Sequence, residues 1–378
     1  MYKMTSLNKI CLALLAATNL VACGGGGSSS STPTPPTVTP TLSTPPVASV
    51  PVATPTPVVT TPTNPTPVAS VPVATPTPVV TPPTNSYSSY ENPNKITDTS
   101  SFYTLKPDIK SCKYGLLTDK VKQDVLNEVN YVRKLHGLEP LTYNPAYDQM
   151  MAETALAMAA ENTTSHIIDE KWQCYSENAK IGAAHASLSN YTGVNRFIEP
   201  TYDISGYLRE IGSPSIGHRR WLLSPFIHET AFGMADGDKK IGGTGRTTGM
   251  ALYMYDAATY VKNSTKTIPG LIAYPTGDYP RKYFQKGDRL SFFIFYDQTS
   301  YDNNWLVDYK NSTVTVKDSK GNIQPIDGVD ISFRSSGVPN SYSFLLPSFE
   351  YGERYTVNVD NVKVNNEIKN YQYQFKVE

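Results

Sequence analysis

The sequence predicts an α+β fold in which a mixed domain of helices and strands precedes an all-β sandwich, and both follow a disordered tether. Apolar residues recur with helical spacing between residues 119 and 162, and short alternating runs typical of strands follow residue 265. By contrast, 17 of the 30 prolines fall between Pro33 and Pro83, where no periodic apolar face is present. We therefore expect four segments, at residues 1–22, 23–97, 98–258 and 265–378.

Residues 1–22 have the features of an export leader. Two lysines precede an apolar run from Ile10 to Val21, which is too short to span a bilayer as a mature helix. The run ends in Leu20-Val-Ala-Cys23-Gly, which resembles the lipobox of bacterial lipoproteins. The resemblance implies that Cys23 carries lipid, which contacts the membrane. Because Gly24 rather than aspartate follows Cys23, the resemblance also implies a location at the outer membrane of the bacterial cell envelope. An ordinary secretory leader with a chance cysteine is the alternative.

The segment at residues 23–97 is rich in proline, threonine and valine. A fifteen-residue string that begins at Pro46 recurs identically from Pro67 to Thr81. Because proline removes a backbone donor and favours polyproline II, this segment predicts an extended spacer that holds the folded part away from the membrane. A ligand for a proline-reading domain is the alternative interpretation.

Two helices are predicted at the start of the folded part. Thr118 or the next residue can cap the first helix, whose apolar stripe consists of Val121, Val125, Val129 and Val132. His136 lies in its last turn, where a cation suits the helix dipole, and we interpret it as a cap rather than a ligand. Asn144-Pro145 caps the second helix, which runs to about Asn162 and is rich in alanine and methionine. These small residues should let the second helix pack closely.

One short stretch carries the clearest chemistry. His218 follows Gly217 in a turn punctuated by glycine and proline, directly before the apolar run that begins at Trp221. Such a turn can aim a polar side chain into a cleft while the apolar run holds the turn in a core. Glu177 and His166 stand upstream, and we interpret all three polar residues as parts of one site.

Five motifs occur in a fixed order between about residues 115 and 257: Asn130-x-x-Arg133-x-x-x-Gly137-Leu-x-Pro-Leu141, Ser165-His166, Glu177-Asn178-Ala179, Gly217-His218-Arg219 and Phe232-Gly-Met-Ala235. Together they resemble the CAP superfamily, which contains cysteine-rich secretory proteins, allergen antigens and plant pathogenesis-related proteins. The resemblance implies an α-β-α sandwich. It also implies that residues 229–234 and 248–255 are strands of its sheet, joined through a glycine-rich turn at residues 242–245.

The resemblance further implies a cleft with two histidines and two acidic residues that can hold a divalent metal. At the matching positions these are His166, Glu177 and His218, with Glu210 as the second acid and Glu199 and Asp203 as its rivals. Neutral imidazoles and carboxylates suit zinc or a similar divalent cation and can leave one coordination position open. The alternative is a polar network that only fixes the shape of the cleft.

Two cysteines remain after the leader and Cys23 are set aside. In an exported domain the remaining pair, Cys112 and Cys174, predicts a disulfide. It would join the segment before the first helix to the loop before Glu177. A nucleophilic pair of Cys174 with His166 is the alternative.

Short alternating runs predict the sandwich at residues 265–378. Leu290 to Tyr296, Tyr355 to Val359 and Tyr371 to Val377 read as strands, and Asp318 to Asn322 reads as a hairpin turn. Six or seven such runs favour an immunoglobulin-like β-sandwich. We identify no catalytic constellation in this segment.

Composition and motifs together point to a binding function. The formal net charge is zero and no basic stripe is present, which argues against nucleic acid as a partner. We therefore expect a lipid-anchored binding module for an envelope polymer, a lipid or a host protein. A metal-dependent hydrolase with Glu177 as general base is one alternative. A structural adhesin with an inert cleft is the other.

Overall fold

The structure, a computed structural model, describes residues 98–194, 198–238, 245–254, 268–334 and 336–378. The described residues all belong to one compact unit, and none of their helices is both long enough and apolar enough to cross a bilayer. The predicted leader, Cys23 and the proline-rich segment lie outside the described residues. So do residues 242–244 of the glycine-rich turn and Tyr255 at the end of a predicted strand.

The first predicted helix is confirmed. Helix α1 spans Asp119–Leu135, and the Thr118 hydroxyl caps it by accepting a hydrogen bond from the Val121 N–H at 3.3 Å. All four valines of the stripe are buried. His136 is the C-cap residue, and Gly137 follows it with φ 69°. Apolar spacing and capping chemistry therefore fix both ends of this helix.

The second helix begins later than the sequence suggested. Asn144 does cap a turn with proline at its first position, but that turn is a 3-10 turn over Pro145–Tyr147. Helix α2 follows at Asp148–Glu161 and ends at Asn162 in the left-handed region, with φ 55°.

A three-stranded antiparallel sheet lies against α2. Its order is β4-β7-β6, with β4 at Ala186–Val194, β6 at Phe232–Asp238 and β7 at Arg246–Tyr253. Helix and sheet approach closely because glycines face the helix backbone. A Cβ on Gly249 would lie 2.1 Å from the Ala155 carbonyl oxygen. The close packing predicted for the second helix is therefore matched by glycines in the sheet.

Helices cover both faces of this sheet. Helix α3, at Glu177–Ala184, packs beside α2, while α4 at Tyr202–Arg209 and α5 at Gly217–Leu222 lie with α1 on the other side. Ala251 of β7 joins the apolar cluster of α2, whereas Met250 joins the cluster that contains the α1 valines. The predicted α-β-α sandwich is confirmed.

Short strand pairs complete this half of the chain. Strand β1 at Tyr103–Leu105 pairs with β2 at Leu116–Leu117, and β3 at Thr142–Tyr143 runs parallel to β5 at Glu229–Thr230. The strand expected at residues 229–234 is therefore interrupted at Ala231, between β5 and β6.

Two further sheets pack face to face. One has the order β14-β15-β10-β8, with β8 at Leu271–Tyr274, β10 at Leu290–Ile294, β14 at Asp327–Phe333 and β15 at Asn340–Leu345. The other has the order β13-β12-β16-β17-β9, with β11 paired to β16. Its strands are β9 Gly277–Tyr279, β11 Val307–Asp308, β12 Thr313–Lys317, β13 Ile323–Gln324, β16 Arg354–Val364 and β17 Glu367–Val377. The rings of Phe292 and Tyr373, from opposite sheets, are 6.4 Å apart. The α+β fold class is confirmed.

The two predicted folded segments share one hydrophobic core. A single cluster of buried side chains runs from Val121 in α1 to Val377 in β17. Arg219 of α5 is buried between the segments, where it donates hydrogen bonds to the Leu208 carbonyl at 2.6 Å and the Ser291 hydroxyl at 3.1 Å. The helical half and the sandwich are therefore packed as one body.

His136 caps α1 as predicted, but its ring is neutral. It is buried between the Ala273 carbonyl and the Tyr279 hydroxyl, each 2.9 Å from a ring nitrogen. Burial lowers the pKa of its imidazole to about 3, so the ring is neutral. Because a carbonyl can only accept, Nδ1 carries the hydrogen and Nε2 accepts from Tyr279. His136 joins α1 to the sandwich, and the neutral ring adds no charge to the helix dipole.

Candidate functional site

Two of the predicted site residues, Glu210 and His218, are brought together by the short helices α4 and α5. Helix α4 ends at Glu210, which has φ 51°. One carboxylate oxygen, Oε1, accepts hydrogen bonds from the backbone N–H of His218 and, at 3.2 Å, from that of Arg219. The His218 Nδ1 atom lies 3.2 Å from the same oxygen. In the neutral form of the ring, a hydrogen on Nδ1 donates to the carboxylate and leaves Nε2 as an acceptor.

The buried Glu210 side chain is held in its ionised form. Burial by itself raises the pKa of this carboxyl group. Hydrogen bonds from His218 and the positive charge of Arg219 outweigh burial, and the pKa lies below its ordinary value. The site therefore contains a carboxylate anion at neutral pH.

A second buried carboxyl group, that of Asp203 in α4, lies close to this pair. Its oxygens accept hydrogen bonds from the hydroxyls of Ser189 and Tyr191, which lie in β4. Burial raises the pKa of Asp203, although these hydrogen bonds, and the positive charge that His218 has when it is protonated, oppose the increase. The Tyr207 ring lies 4.9 Å from the His218 ring, centre to centre. Strand β4 and helices α4 and α5 thus form one polar network.

This network opens on a cavity of about 240 Å³. The residues that line it are Asn162, Thr163, Thr164, Leu188, Ser189, Asn190, Tyr191, Thr192, Asp203, Gly206, Tyr207, Glu210, Ile211 and His218. Most of these residues carry an amide, a hydroxyl or a carboxyl group, but apolar atoms, including those of Leu188 and Ile211, supply most of the exposed lining surface. Neither lysine nor arginine occurs among the described residues of the lining.

The other two predicted site residues are not part of this lining. His166 is exposed, and its Nδ1 atom lies 2.8 Å from the Ala183 carbonyl oxygen near the end of α3. Glu177 lies in the first turn of α3, where its side chain is 62% exposed and bonds to Tyr175 and Lys180. The structure therefore brings Glu210 and His218 together, but it places His166 and Glu177 outside the cavity lining.

The donor groups can be tested against the metal that the resemblance implies. Within the described ranges, no group of three or more His, Cys, Asp or Glu side chains could hold a metal ion. The Glu210 Oε1 atom already accepts backbone hydrogen bonds, and Asp203 already accepts from two hydroxyls. In this arrangement the residues do not fit zinc, which takes three or four protein ligands around one point. The metal site stays a prediction.

The two rivals of Glu210 have different environments. Asp203 reaches the cavity, whereas Glu199 is buried outside the lining. The network around Asp203 was missed because Ser189 and Tyr191 belong to no motif. The alternation of a strand, which sets residues two apart on one face, is the signal that could have found them.

The predicted disulfide between Cys112 and Cys174 is confirmed, with their Cα atoms 5.0 Å apart. Because the Cys174 sulfur is bonded, a nucleophilic pair with His166 is ruled out in this form of the protein. The bond ties the segment before α1 to the loop before α3, which carries His166.

Part of the chain is similar to a known protein family. Residues 126–260 match the model of the cysteine-rich secretory protein family, CAP. A structure search finds a solved chain titled "Crystal Structure of MpPR-1i", at 13% identity and a TM-score of 0.23, covering 36% of this chain and 91% of that chain. None of the curated proteins compared with the sequence matches it.

Proposed function

Residues 126–260 match the CAP family model. We propose that the cavity beside His218, which lies within these residues, binds a small, uncharged ligand rich in hydroxyl groups. One sugar unit of an envelope or host polymer has this chemistry. The observation that carries the proposal is the cavity lining, which combines two buried carboxyl groups with amides and hydroxyls and has neither lysine nor arginine among its described residues.

The charges around the cavity disfavour an anionic ligand. Glu210 is ionised, and Arg219, the residue after His218, directs its guanidinium to the carbonyls of Leu208 and Arg209 at 2.6 and 2.9 Å. A phosphate or carboxylate ligand would lose its hydration next to Glu210 without gaining a cation. The proposed ligand is therefore neutral.

The polar lining suits a molecule whose groups both donate and accept hydrogen bonds. The side chains of Asn162, Thr163, Asn190 and Thr192 contain groups of both kinds, as sugars do. Asn190 already donates one hydrogen bond to the Met158 carbonyl, and Thr192 donates to the Asn162 side chain. Leu188 supplies an apolar wall for ring C–H groups. The cavity volume of about 240 Å³ leaves room for one ring-sized unit.

We also propose that this domain acts at the bacterial cell envelope, anchored by lipid on Cys23. The lipobox-like end of the leader supports the anchor, and the proline-rich segment suits a spacer. The Cys112–Cys174 disulfide is consistent with an exported protein. Of the three ligand classes expected from the sequence, we favour a polymer, because most of the lining side chains carry a hydroxyl, amide or carboxyl group.

The alternative functions rest on other residues. A hydrolase with Glu177 as general base would need that carboxylate at a substrate, but it is exposed and bonds to Tyr175 and Lys180. An adhesin with an inert cleft would leave the cavity without a ligand. Both alternatives remain predictions, and the following experiment separates them from the proposed function.

The test is binding of a panel of methyl glycosides to the full chain, followed by saturation-transfer NMR. We expect at least one glycoside to bind and His218→Ala to weaken it at least tenfold, because the ring and its acceptor nitrogen are lost. His185→Ala is the matched control, since His185 is the C-cap of α3 and lies outside the cavity lining. The proposal fails if no glycoside binds, or if both variants weaken binding equally.

Zinc titration calorimetry on the same protein tests the metal prediction separately. Heat that disappears in the His166→Ala/His218→Ala double variant would show that at least one of these histidines is needed to bind the metal. Glycoside binding without zinc heat would support the proposed function and argue against the hydrolase.

A further inference from the structure

Three hydroxyl groups of the cavity lining donate their hydrogens to protein atoms. The hydroxyls of Ser189 and Tyr191 both donate to the carboxyl group of Asp203. The Tyr207 hydroxyl donates to the Ser187 carbonyl oxygen at 3.2 Å and to the Ser189 hydroxyl oxygen at 3.3 Å. Because a hydroxyl group has a single hydrogen, none of the three has a hydrogen left for a ligand.

The carboxylate of Asp203 determines the direction of two of these hydrogen bonds. The residue is 2% exposed, and one of its carboxylate oxygens accepts from Ser189 while the other accepts from Tyr191. Donation by both hydroxyls opposes the rise in pKa that burial causes in this carboxyl group. An ionised carboxylate has no hydrogen to donate, so both hydroxyls must be the donors. Their oxygen atoms can then only accept a further hydrogen bond.

The His218 ring adds another acceptor to the same wall. In the neutral form of the ring, Nδ1 donates to Glu210 and Nε2 accepts. A ligand group that reaches these side-chain atoms therefore meets acceptors. An ether, ester or carbonyl oxygen has no hydrogen to donate, so it would lose its hydration there without gaining a hydrogen bond. A free hydroxyl group can donate.

We propose that Asp203 sets the specificity of the cavity, so that the bound sugar unit must present a free hydroxyl group as donor to the hydroxyl oxygen of Ser189 or Tyr191. A unit that is methylated or acylated at this hydroxyl is excluded. This specificity rests on the proposed function, which supplies the hydroxyl-rich ligand. Asp203 is a positioning residue in this role, because it acts through the two hydroxyls that meet the ligand.

The first test compares the tightest-binding methyl glycoside of the panel with its monofluoro analogues on the full chain. Fluorine replaces one ring hydroxyl at a time, and it is similar in size to a hydroxyl but has no hydrogen to donate. We expect at least one analogue to bind about tenfold more weakly than the parent glycoside, or about 1.4 kcal/mol. The methyl ether at the same ring position should bind no better than the fluoro analogue.

Asp203→Asn tests the residue itself. The amide keeps the shape of the side chain, but its NH₂ group donates to one of the two hydroxyls, whose own hydrogen can then donate to the ligand. We expect the ratio of the fluoro and parent dissociation constants to fall to about threefold or less, as in a double-mutant cycle. Because the ratio is measured within one variant, a general loss of affinity does not change it.

Glu199→Gln is the matched control for this variant. It makes the same carboxyl-to-amide change at a buried site outside the cavity lining, so the ratio should stay at about tenfold. Ser189→Ala and Tyr191→Phe each remove one acceptor, and at least one of them should lower the ratio without any change at Asp203.

Failure of this specificity and failure of the proposed function give different results. If no glycoside binds, the proposed function fails and the specificity fails with it. If glycosides bind but every fluoro analogue binds as tightly as its parent, only the specificity is overturned. The role of Asp203 is overturned if Asp203→Asn and Glu199→Gln leave the same ratio.

Discussion

Glu199 shows at the scale of one residue how burial changes an ordinary carboxyl group. Its side chain is buried, and its Oε1 atom has no hydrogen-bond partner among the described residues. Burial raises the pKa of Glu199 to about 7, although the charge of Lys282 opposes the increase. The charges of Glu128 and Asp124 add to it. The group therefore titrates near neutral pH in the folded protein.

This shift predicts a specific pH dependence of stability. Because the folded pKa of about 7 lies above the unfolded value of 4.5, the contribution of Glu199 is fully present below pH 4.5 and is lost as the pH rises through 7. Glu199→Gln removes this titration, so the variant should gain stability relative to the parent between about pH 5 and about pH 8, by about 1.4 kcal/mol per unit of pKa shift. Urea unfolding at the two pH values measures the difference.

A matched change at an exposed glutamate provides the control for this prediction. Glu177→Gln alters a side chain that is 62% exposed, so its effect on the free energy of unfolding should be small at both pH values. If the difference in stability between Glu199→Gln and the parent is the same at both pH values, the raised pKa of Glu199 is contradicted.

At the scale of an element, the contact between α2 and the sheet depends on two glycines. A Cβ at Gly233 would lie 2.1 Å from the Met151 carbonyl carbon, and one at Gly249 would lie 2.1 Å from the Ala155 carbonyl oxygen. Both neighbours are backbone atoms of a helix, which cannot move aside as a side chain can. The helix and sheet would have to separate to admit either methyl group.

We therefore expect Gly249→Ala to lower the free energy of unfolding by about 1–3 kcal/mol, the usual cost of an overpacked core. Gly206→Ala in α4 is the matched control, because no atom lies within 4 Å of its added Cβ. That change should stabilise the helix by up to about 1 kcal/mol. Chemical unfolding of the two variants and the parent measures the free energy of unfolding of each. Equal effects of the two substitutions would contradict the prediction.

Helices and turns were predictable where their ends depend on residues that are neighbours in the sequence. The valine spacing and the Thr118 cap define α1, and both ends agree with the structure. The start of α2 was misplaced because Asn144 with Pro145 caps a 3-10 turn as readily as an α-helix. Within the site, the turn before His218 indicated a cleft residue. The placement of His166 was not predictable, because it depends on how the loop after α2 packs against α3.

At the scale of the whole molecule, the sequence predicted two folded segments, and the structure packs them around one core. The change from helical to alternating spacing of apolar residues near residue 265 shows where helices are followed by strands. It does not show where a hydrophobic core ends. Arg219 and His136 are buried at the contact and find partners in the sandwich, at Ser291, Ala273 and Tyr279. The two halves therefore satisfy one another's buried polar groups.

We expect residues 98–378 to unfold in one cooperative transition and residues 98–258 alone not to fold. Without the sandwich, His136 would lose both of its partners and Arg219 its bond to Ser291, and each unsatisfied buried group costs about 1–3 kcal/mol. The apolar surface of the shared core would also be exposed, and together these losses approach the roughly 5–15 kcal/mol that stabilises a typical domain. Scanning calorimetry of both fragments provides the measurement. Two separate transitions in the longer fragment, or a cooperative transition in the shorter one, would show that the halves are independent domains.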